Sequence, residues 1–218
     1  MGMKKPGSYG VRAMAIIMAV LALSGGIFAQ STLRNVQADS DDLARGKFLI
    51  APRESQDPNF AGTVVLLIHY DDDGAVGLVI NRPTKLPLSQ LFDEVRSARK
   101  IGDVAYFGGP VELRDVLALC RSRKKPEASI PMFGDVYLLS TKAGLEKALS
   151  SKPTPKTLRV YVGYTGWAPG QLEHELDLGA WRILPGDEES VFDADPAGVW
   201  PRLIDRTEMR IAGLNWAH

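Results

Sequence analysis

The segment 63–83, TVVLLIHYDDDGAVGLVINRP, decides the fold. Its first part, Thr63–Tyr70, is rich in β-branched residues and too apolar for a strand with one wet face, which predicts a strand in the centre of a sheet. Asp71–Gly74 supplies a turn in which the glycine can take a positive φ. Ala75–Asn81 is the returning strand and stops at an Arg-Pro pair. The segment therefore predicts a β-hairpin inside the main sheet.

Shorter runs on both sides of this hairpin predict further strands and a few helices. The strands are predicted at 47–51, 103–107, 116–120, 136–139, 158–163 and 180–184. The helices are predicted at 88–95, from Ser140 or Thr141 through Leu149, at 171–178 and at 196–207. Between them, 121–131 has the composition of a basic loop and 164–170 that of a glycine-rich turn. This arrangement indicates a mixed α+β sheet rather than a doubly wound parallel one.

Five motifs follow one another along the predicted folded part. They are Gly46-x-Phe48-Leu49-Ile50-Ala51, Asp57-Pro58-Asn59-Phe60, Gly74-Ala75-x-Gly77-Leu78-Val79-Ile80-Asn81-Arg82-Pro83, Gly108-Gly109-Pro110-Val111 and Gly163-Tyr164-x-Gly166-Trp167-x-x-Gly170-Gln171-Leu172-Glu173-x-Glu175-Leu176. In this order they resemble the YqgE/AlgH family over residues 46–211. The resemblance implies an α/β (mixed α+β) fold whose strongly curved, bifurcated mixed sheet forms a pseudo-barrel flanked by short helices. It implies no established activity, because the family carries only the label of a transcriptional regulator.

The N-terminus has the pattern of a targeting segment. Three basic residues precede Ala13–Ala29, a stretch of 17 residues without a charge. A basic start, an apolar centre and a small residue at the end are typical of a secretory signal peptide, and an uncleaved membrane anchor is the alternative. We therefore expect 1–29 to be a signal peptide or N-terminal anchor, 30–45 a polar linker, 46–212 a single YqgE/AlgH-like domain and 213–218 a tail. The expected location is exported or periplasmic, with membrane-anchored and cytoplasmic as alternatives.

The composition restricts the classes of partner. The chain has 26 basic and 26 acidic residues, and removal of 1–29 leaves a net charge of −3. Nucleic acid is therefore not favoured as a partner, since its binding requires a basic surface. A single cysteine excludes an intrachain disulfide and a multi-cysteine zinc site. The partner is expected to be an unknown protein or a small polar ligand, with membrane contact only through an uncleaved N-terminus.

No residue pattern predicts a catalytic residue, a metal site or a cofactor. His69 followed by Asp71 and Asp73 lacks the remaining ligand positions of a calcium loop, so a solvated turn is favoured. Cys120 lies in an apolar strand without a neighbouring histidine and is expected to fill the core. His174 lies between two glutamates on a short helix, but the second histidine of a zinc-protease motif is absent.

Eight residues remain as a candidate ligand-binding site, all in or next to predicted turns. They are Asn81, Arg82, Gly109, Pro110, Tyr164, Trp167, Gln171 and Glu173. Strand ends of open sheets commonly carry binding sites, and an arginine suits a carboxylate or a phosphate. The alternative is structural, with glycines for tight turns, Trp167 in the core and Arg82 paired with an acid to hold two loops together. The hypothesis predicts that the loops after Ile80, Phe107 and Gly163 converge, with Arg82 close to Glu173.

These observations favour a non-catalytic, exported binding or regulatory domain of the YqgE/AlgH type. Two alternatives stay open. One is a hydrolase that uses Glu173 or Glu175 as general base, which requires a carboxylate of raised pKa in a concave pocket. The other is an intracellular transcriptional regulator, for which the sequence offers only a small positive loop near Arg123.

Overall fold

The computed structural model describes residues 42–215. The predicted signal peptide or anchor, most of the predicted linker and the last three residues of the predicted tail lie outside the described residues. Within them, no helix is both long enough and apolar enough to cross a membrane.

Ten strands form one sheet. They are β1 (Lys47–Ile50), β2 (Val64–Asp71), β3 (Gly74–Val79), β4 (Pro83–Pro87), β5 (Val104–Phe107), β6 (Val111–Arg121), β7 (Ser129–Phe133), β8 (Val136–Leu139), β9 (Leu158–Trp167) and β10 (Arg182–Pro185). Their order is β10-β1-β2-β3-β9-β6-β8-β7, with β5 beside β9 and β4 beside β5. The pairings are antiparallel except for β5 with β9. The expected mixed α/β class with a strongly curved sheet is therefore confirmed.

Five helices accompany the sheet. They are α1 (Leu88–Leu91), α2 (Lys142–Ser150), α3 (Gln171–Asp177), α4 (Glu188–Val191) and α5 (Pro196–Asn215). A 3₁₀ turn covers Ala98–Lys100. Helix α2 begins as the sequence indicates, since Thr141 Oγ1 accepts a hydrogen bond of 3.2 Å from Gly144 N.

The sheet forks along β9. One side of β9 pairs with β6 over most of its length. The other side pairs first with β5, at Tyr161 and Val162, and then with β3, from Thr165 to Trp167. Gly163 lies between the two pairings and has φ +70°, a conformation that favours glycine. The bifurcation is therefore located at this residue of the central strand.

The fork requires main chains to pass without side chains between them. Gly108 N donates a hydrogen bond of 2.9 Å to Val162 O, and Val79 N donates one of 2.8 Å to Gly108 O. A Cβ on Gly108 would lie 2.3 Å from Gly163 O. A Cβ on Gly109 would lie 2.2 Å from the carbonyl carbon of Tyr164. Glycine is needed at both positions because no larger residue fits beside β9.

The two edges of the curled sheet approach each other. Gly186, just after β10, donates its N–H to Gly46 O at 3.0 Å. A Cβ on Gly46 would lie 3.0 Å from Met132 O in β7, and a Cβ on Gly186 would lie 2.4 Å from the Phe133 ring. Edge strand β7 thus packs against the chain that flanks β1 and β10, which gives the sheet its half-barrel form.

Three apolar clusters stabilise the fold. The first lies between the concave part of the sheet and α4–α5 and includes Phe48, Leu66 and Tyr161. The second contains Leu49 and Trp167 and is covered by Leu172 and Leu176 of α3. The third joins β5, β6 and β9 to α1 and α2. Alternate residues of the apolar strands β1 and β2 enter the first and second clusters, which explains why these strands lack a polar face.

Several sequence expectations are wrong in their boundaries. The predicted turn 164–170 is strand as far as Trp167, because β9 continues past the fork to pair with β3. The predicted loop 121–131 contains the start of β7, and the strand β4 was missed at a segment bounded by prolines. The predicted helix 88–95 ends at Leu91, where neither end has a side-chain cap and no acidic residue occupies the first turn. Helix α5 extends to Asn215.

Gly108→Ala tests the steric requirement of the fork. The added methyl would meet the main chain at Gly163, which cannot give way without distorting β9, so we expect destabilisation of about 1–3 kcal/mol or more in urea unfolding. Gly102→Ala is the matched control, because nothing lies within 4 Å of its added Cβ, and its effect should stay within about 0.5 kcal/mol. Equal losses for the two variants would contradict this account.

Candidate functional site

The eight candidate residues form three groups, one at each end of β3 and one at the fork. Asn81 and Arg82 follow its C-terminal end, whereas Trp167 pairs with Ala75 near its first residue. Six residues of strand span roughly 17–20 Å. Glu173 hydrogen-bonds to Tyr70, which pairs with Ala75 at that same first end. The backbones of the three bends meet at the fork, but the side chains of Arg82 and Glu173 have different partners.

Asn81 and Arg82 hold the loop that leads into β2. Buried Asn81 accepts a 2.9 Å hydrogen bond from Val64 N through Oδ1 and donates one of 3.0 Å to Gly62 O. Arg82 donates from its two terminal nitrogens to Asn59 O at 2.6 Å and to Ala61 O at 3.0 Å. Both side chains thus bind main-chain groups of the segment 59–64.

The environment of Arg82 favours this structural use. Its partners are two main-chain carbonyls rather than the acid that the sequence suggested. Partial burial lowers the pKa of Arg82 from its usual value, and the nearby Asp57 carboxylate opposes that change. The guanidinium remains charged, but two of its donors are already used within the loop.

Gly109, Pro110 and Tyr164 lie together at the middle of the sheet. Gly109 passes over Tyr164 in the fork, and Pro110 is exposed. Tyr164 is half-buried and pairs with Val111. Burial raises the pKa of its hydroxyl, and the acidic side chains at 112 and 115 raise it further. Pro110 and Tyr164 therefore border solvent beside the fork.

A carboxylate tied to two indoles occupies the first end of β3. Glu175 Oε2 accepts hydrogen bonds of 2.8 Å from Trp167 Nε1 and of 2.8 Å from Trp181 Nε1. Its Oε1 accepts a bond of 2.9 Å from Gln171 Nε2. These contacts join the end of β9, helix α3 and the chain entering β10 through one carboxyl group.

The aromatic rings around this carboxylate pack closely. The indole of Trp167 lies 6.0 Å from that of Trp181, edge to face. Phe60 stacks on Trp167 at 6.4 Å and meets the edge of Trp181 at 5.3 Å. Both indoles are almost wholly buried. The arrangement is a closed core cluster and leaves no space between the rings for a ligand.

Gln171 and Glu173 are also engaged within the protein. Gln171 is the first residue of α3, and its Oε1 accepts a hydrogen bond of 3.0 Å from Ala168 N. Its Nε2 donates a hydrogen bond of 2.9 Å to Glu175 Oε1. Glu173 Oε1 accepts a hydrogen bond of 2.6 Å from the hydroxyl of Tyr70. Both glutamates that could serve as a general base are therefore half-buried and hydrogen-bonded.

The other groups with chemical potential have structural surroundings. Cys120 is buried, and burial raises the pKa of its thiol to about 11, so the reactive thiolate is scarce at neutral pH. His69 Nε2 lies 2.9 Å from Asp71 Oδ2 in an exposed pair. Across residues 42–215, no three His, Cys, Asp or Glu side chains converge in a way that could hold a metal ion.

Sequence reasoning missed the partners of Glu175. The spacing of Gln171 and Glu175, four apart on one helix, could have indicated their hydrogen bond. Nothing in the local sequence connects Glu175 to Trp181 or to Phe60, because these residues meet only when β1–β2, α3 and β10 assemble.

The described part of the chain is thus an α/β half-barrel whose motif residues largely hold the fold together. The family model DUF179, described as AlgH-like, matches residues 48–212. A UPF0301 protein of Thiobacillus denitrificans is 34% identical over 173 residues, covering 78% of this chain and 90% of that protein. A UPF0301 protein of Caulobacter vibrioides is 32% identical over 174 residues, covering 78% and 89% of the two chains.

Two solved structures are similar in fold. The solution structure of the AlgH protein from Pseudomonas aeruginosa has a TM-score of 0.62 and 28% identity, covering 88% of this chain and 98% of that one. The crystal structure of protein DIP2367 from Corynebacterium diphtheriae has a TM-score of 0.66 and 20% identity, covering 78% and 90%, and shows the fold alone. The chain belongs to the YqgE/AlgH family.

Glu175→Gln tests the role of the shared carboxylate. The amide has one acceptor oxygen instead of two and no negative charge, so at least one of the three N–H donors loses its partner and the bonds to the buried indoles weaken. We expect destabilisation of about 2–4 kcal/mol in urea unfolding, with a changed tryptophan emission spectrum in the folded state. Glu173→Gln is the control, because its amide oxygen can still accept from Tyr70, and its effect should stay below about 1 kcal/mol. A larger effect at 173 than at 175 would refute this assignment.

Proposed function

We propose that this chain is a non-catalytic binding domain that docks an extended polypeptide segment along the exposed first half of β6. The observation that carries the proposal is the outward bulge of this strand. The β6 bulge, defined as Glu112–Asp115, inserts four residues between the paired Val111 and Val116, whereas β9 has only Gly163 between their partners. Bulges near a sheet edge commonly redirect side chains toward a binding partner.

The bulge presents a mixed surface. All four of its residues are exposed, and Leu113 is 58% exposed. Glu112 has φ +45°, an unusual conformation for a residue with a side chain. A partner with one apolar side chain over Leu113 and charges matched to Arg114 and its two flanking acids would complement this surface. Tyr164 and Pro110 border the same surface.

The main chain of the same region supports strand addition. Strand β8 pairs with β6 only from Ala118 to Arg121. Within 111–117, Val111, Val116 and Leu117 pair with β9 on one side, and the main chain of the bulge between them pairs with neither β8 nor β9. Addition of an extended segment to such an edge gives affinity through main-chain hydrogen bonds and specificity through alternate side chains. The charges of the bulge would prevent indiscriminate pairing.

The state of the reactive groups supports binding over hydrolysis. A general base needs a lone pair free to take a proton from substrate or water. The carboxylate of Glu175 accepts three hydrogen bonds, and that of Glu173 accepts one from Tyr70. The buried Cys120 thiol has a raised pKa. These groups contribute to the fold in their present arrangement.

We also propose that the domain is exported. The support is the basic and then apolar pattern of residues 1–29, together with a domain that needs no disulfide for stability. Export would place the β6 surface among periplasmic or extracellular partners, and it argues against a direct role on DNA.

A photo-crosslinking amino acid in place of Leu113 tests the binding surface in living cells. The same amino acid in place of Leu178 is the matched control, since that leucine is 71% exposed on a different part of the molecule. We expect a discrete adduct from position 113 that position 178 does not give. Hydrogen exchange with the purified partner should then protect amides 111–117.

Adducts of equal yield from the two positions, or protection confined to another strand, would refute the β6 surface. Enzymatic turnover by the purified domain would refute the non-catalytic part of the proposal separately.

Cell fractionation with mass spectrometry of the N-terminus tests export. We expect the native protein in the exported fraction, with a first residue near Gln30 and the loss of all 17 uncharged residues 13–29. Replacing Lys4 and Lys5 by glutamate should retain the precursor inside the cell, because the basic start of the signal is lost. A full-length N-terminus found only in the cytoplasm would disprove this part of the proposal.

A further inference from the structure

A charged side chain lies inside the half-barrel. Arg159, on β9, is only 2% exposed and is among the largest side chains that are wholly buried. Strand alternation places it on the same face of β9 as Tyr161, a member of the apolar cluster that α4 and α5 cover. A guanidinium cannot release its proton in a protein, so this position brings a full positive charge into the core.

The contacts of Arg159 compensate that charge only in part. Its Nη2 donates to the carbonyl oxygen of Asp193, just after α4. Its Cζ lies 4.6 Å from the centroid of the Tyr106 ring, in a cation–π contact. Its Nε and Nη1 are buried without a hydrogen-bond partner. The carbonyl and the ring face carry only partial negative charge, so they do not neutralise the guanidinium, and two of its N–H donors have no acceptor.

A third unsatisfied donor lies on the same face of β9. Tyr161 is fully buried, and its hydroxyl also has no hydrogen-bond partner. Its ring lies 5.7 Å from that of Tyr106, which in turn contacts Arg159. Burial raises the pKa of Tyr161, and the positive charge of Arg159 opposes that rise, which indicates their proximity. Three buried polar atoms on two residues thus lack acceptors in one region of the core.

The covering segment has five acids between 187 and 195. Glu189 and Asp195 are exposed, and each of the other three faces a different arginine. These pairs are Asp187 with Arg206 at 3.4 Å, Glu188 with Arg121 at 3.0 Å, and Asp193 with Arg202. Arg159 takes part in none of these three ion pairs.

We propose that Arg159 and Tyr161 hold a small monovalent anion, of the chloride class, inside the half-barrel. Water could satisfy the donors but would not neutralise the charge, whereas an anion does both. The enclosed position excludes large ligands, since both side chains are almost inaccessible to solvent. The anion would join two side chains of β9 and would stabilise the folded state through its binding.

Crystals grown in bromide test the proposal on the unaltered protein. We expect an anomalous peak within hydrogen-bond distance of the Arg159 guanidinium and the Tyr161 hydroxyl. Electron density for water alone at this position, without an anomalous signal, would overturn the proposal. So would a repacked Arg159 that reaches a carboxylate.

Thermal unfolding in solution separates a specific site from an ion bound only at crystal concentration. The midpoint should rise with sodium chloride relative to sodium gluconate at equal ionic strength, because gluconate is too large for the site. Tyr161→Phe removes one donor and little volume, so the chloride concentration for half of the effect should rise several-fold. Arg159→Met should abolish the response where that variant folds.

Arg121→Met is the matched control. This arginine also lies over a ring, with Cζ 5.0 Å from the centroid of Phe192. Its Nε lies 3.0 Å from Glu188 Oε2, without the alignment of a hydrogen bond. Because the Glu188 carboxylate already neutralises its positive charge, Arg121 does not need an anion. Its variant should keep the chloride response. An identical response in the parent protein and Tyr161→Phe, or none in the parent protein, would overturn the anion site.

Discussion

The close passage of Gly108 and Gly109 beside Gly163 is the constraint on which the rest of the structure depends. A central strand can serve two partners on one edge only if one partner leaves before the other arrives. Here β5 leaves β9 at Val162 and β3 joins at Thr165, and the chain after β5 crosses the gap between them. The crossing brings main chain against main chain, so side chains are excluded there. The curvature of the sheet and its three separate apolar clusters follow from this fork.

The polar contacts of the family motifs serve the fold. Asn81 and Arg82 complete the hydrogen bonds of the loop before β2. Glu175 accepts from two buried indole N–H groups that would otherwise lack acceptors, and also from the amide of the exposed Gln171. The exposed β6 bulge lies directly after the Gly-Gly-Pro motif, with Pro110 and Tyr164 beside it. This contrast directs the search for function toward an interface rather than toward a reactive centre.

The sequence predicts the local features of this fold well and its long-range features poorly. The hairpin of β2 and β3 was predictable because its strands are contiguous and end at a recognisable turn. The start of α2 was predictable because Thr141 caps it locally. The segment 164–167 has the composition of a turn, and only pairing with β3, some ninety residues earlier, makes it a strand. The partners of Glu175 and the burial of Arg159 depend in the same way on segments that are distant in sequence.

The position of β9 in the chain also has a consequence for synthesis. This strand comes late, yet it separates the group β10-β1-β2-β3 from β6-β8-β7 and also anchors β5. A nascent chain that ends before Leu158 has two halves of a sheet with nothing to connect them. Long-range pairings of this kind slow folding, so we expect the sheet to close only after β9 has left the ribosome. Until then, the partly synthesised chain exposes the strand edges of β3, β5 and β6 that β9 later covers.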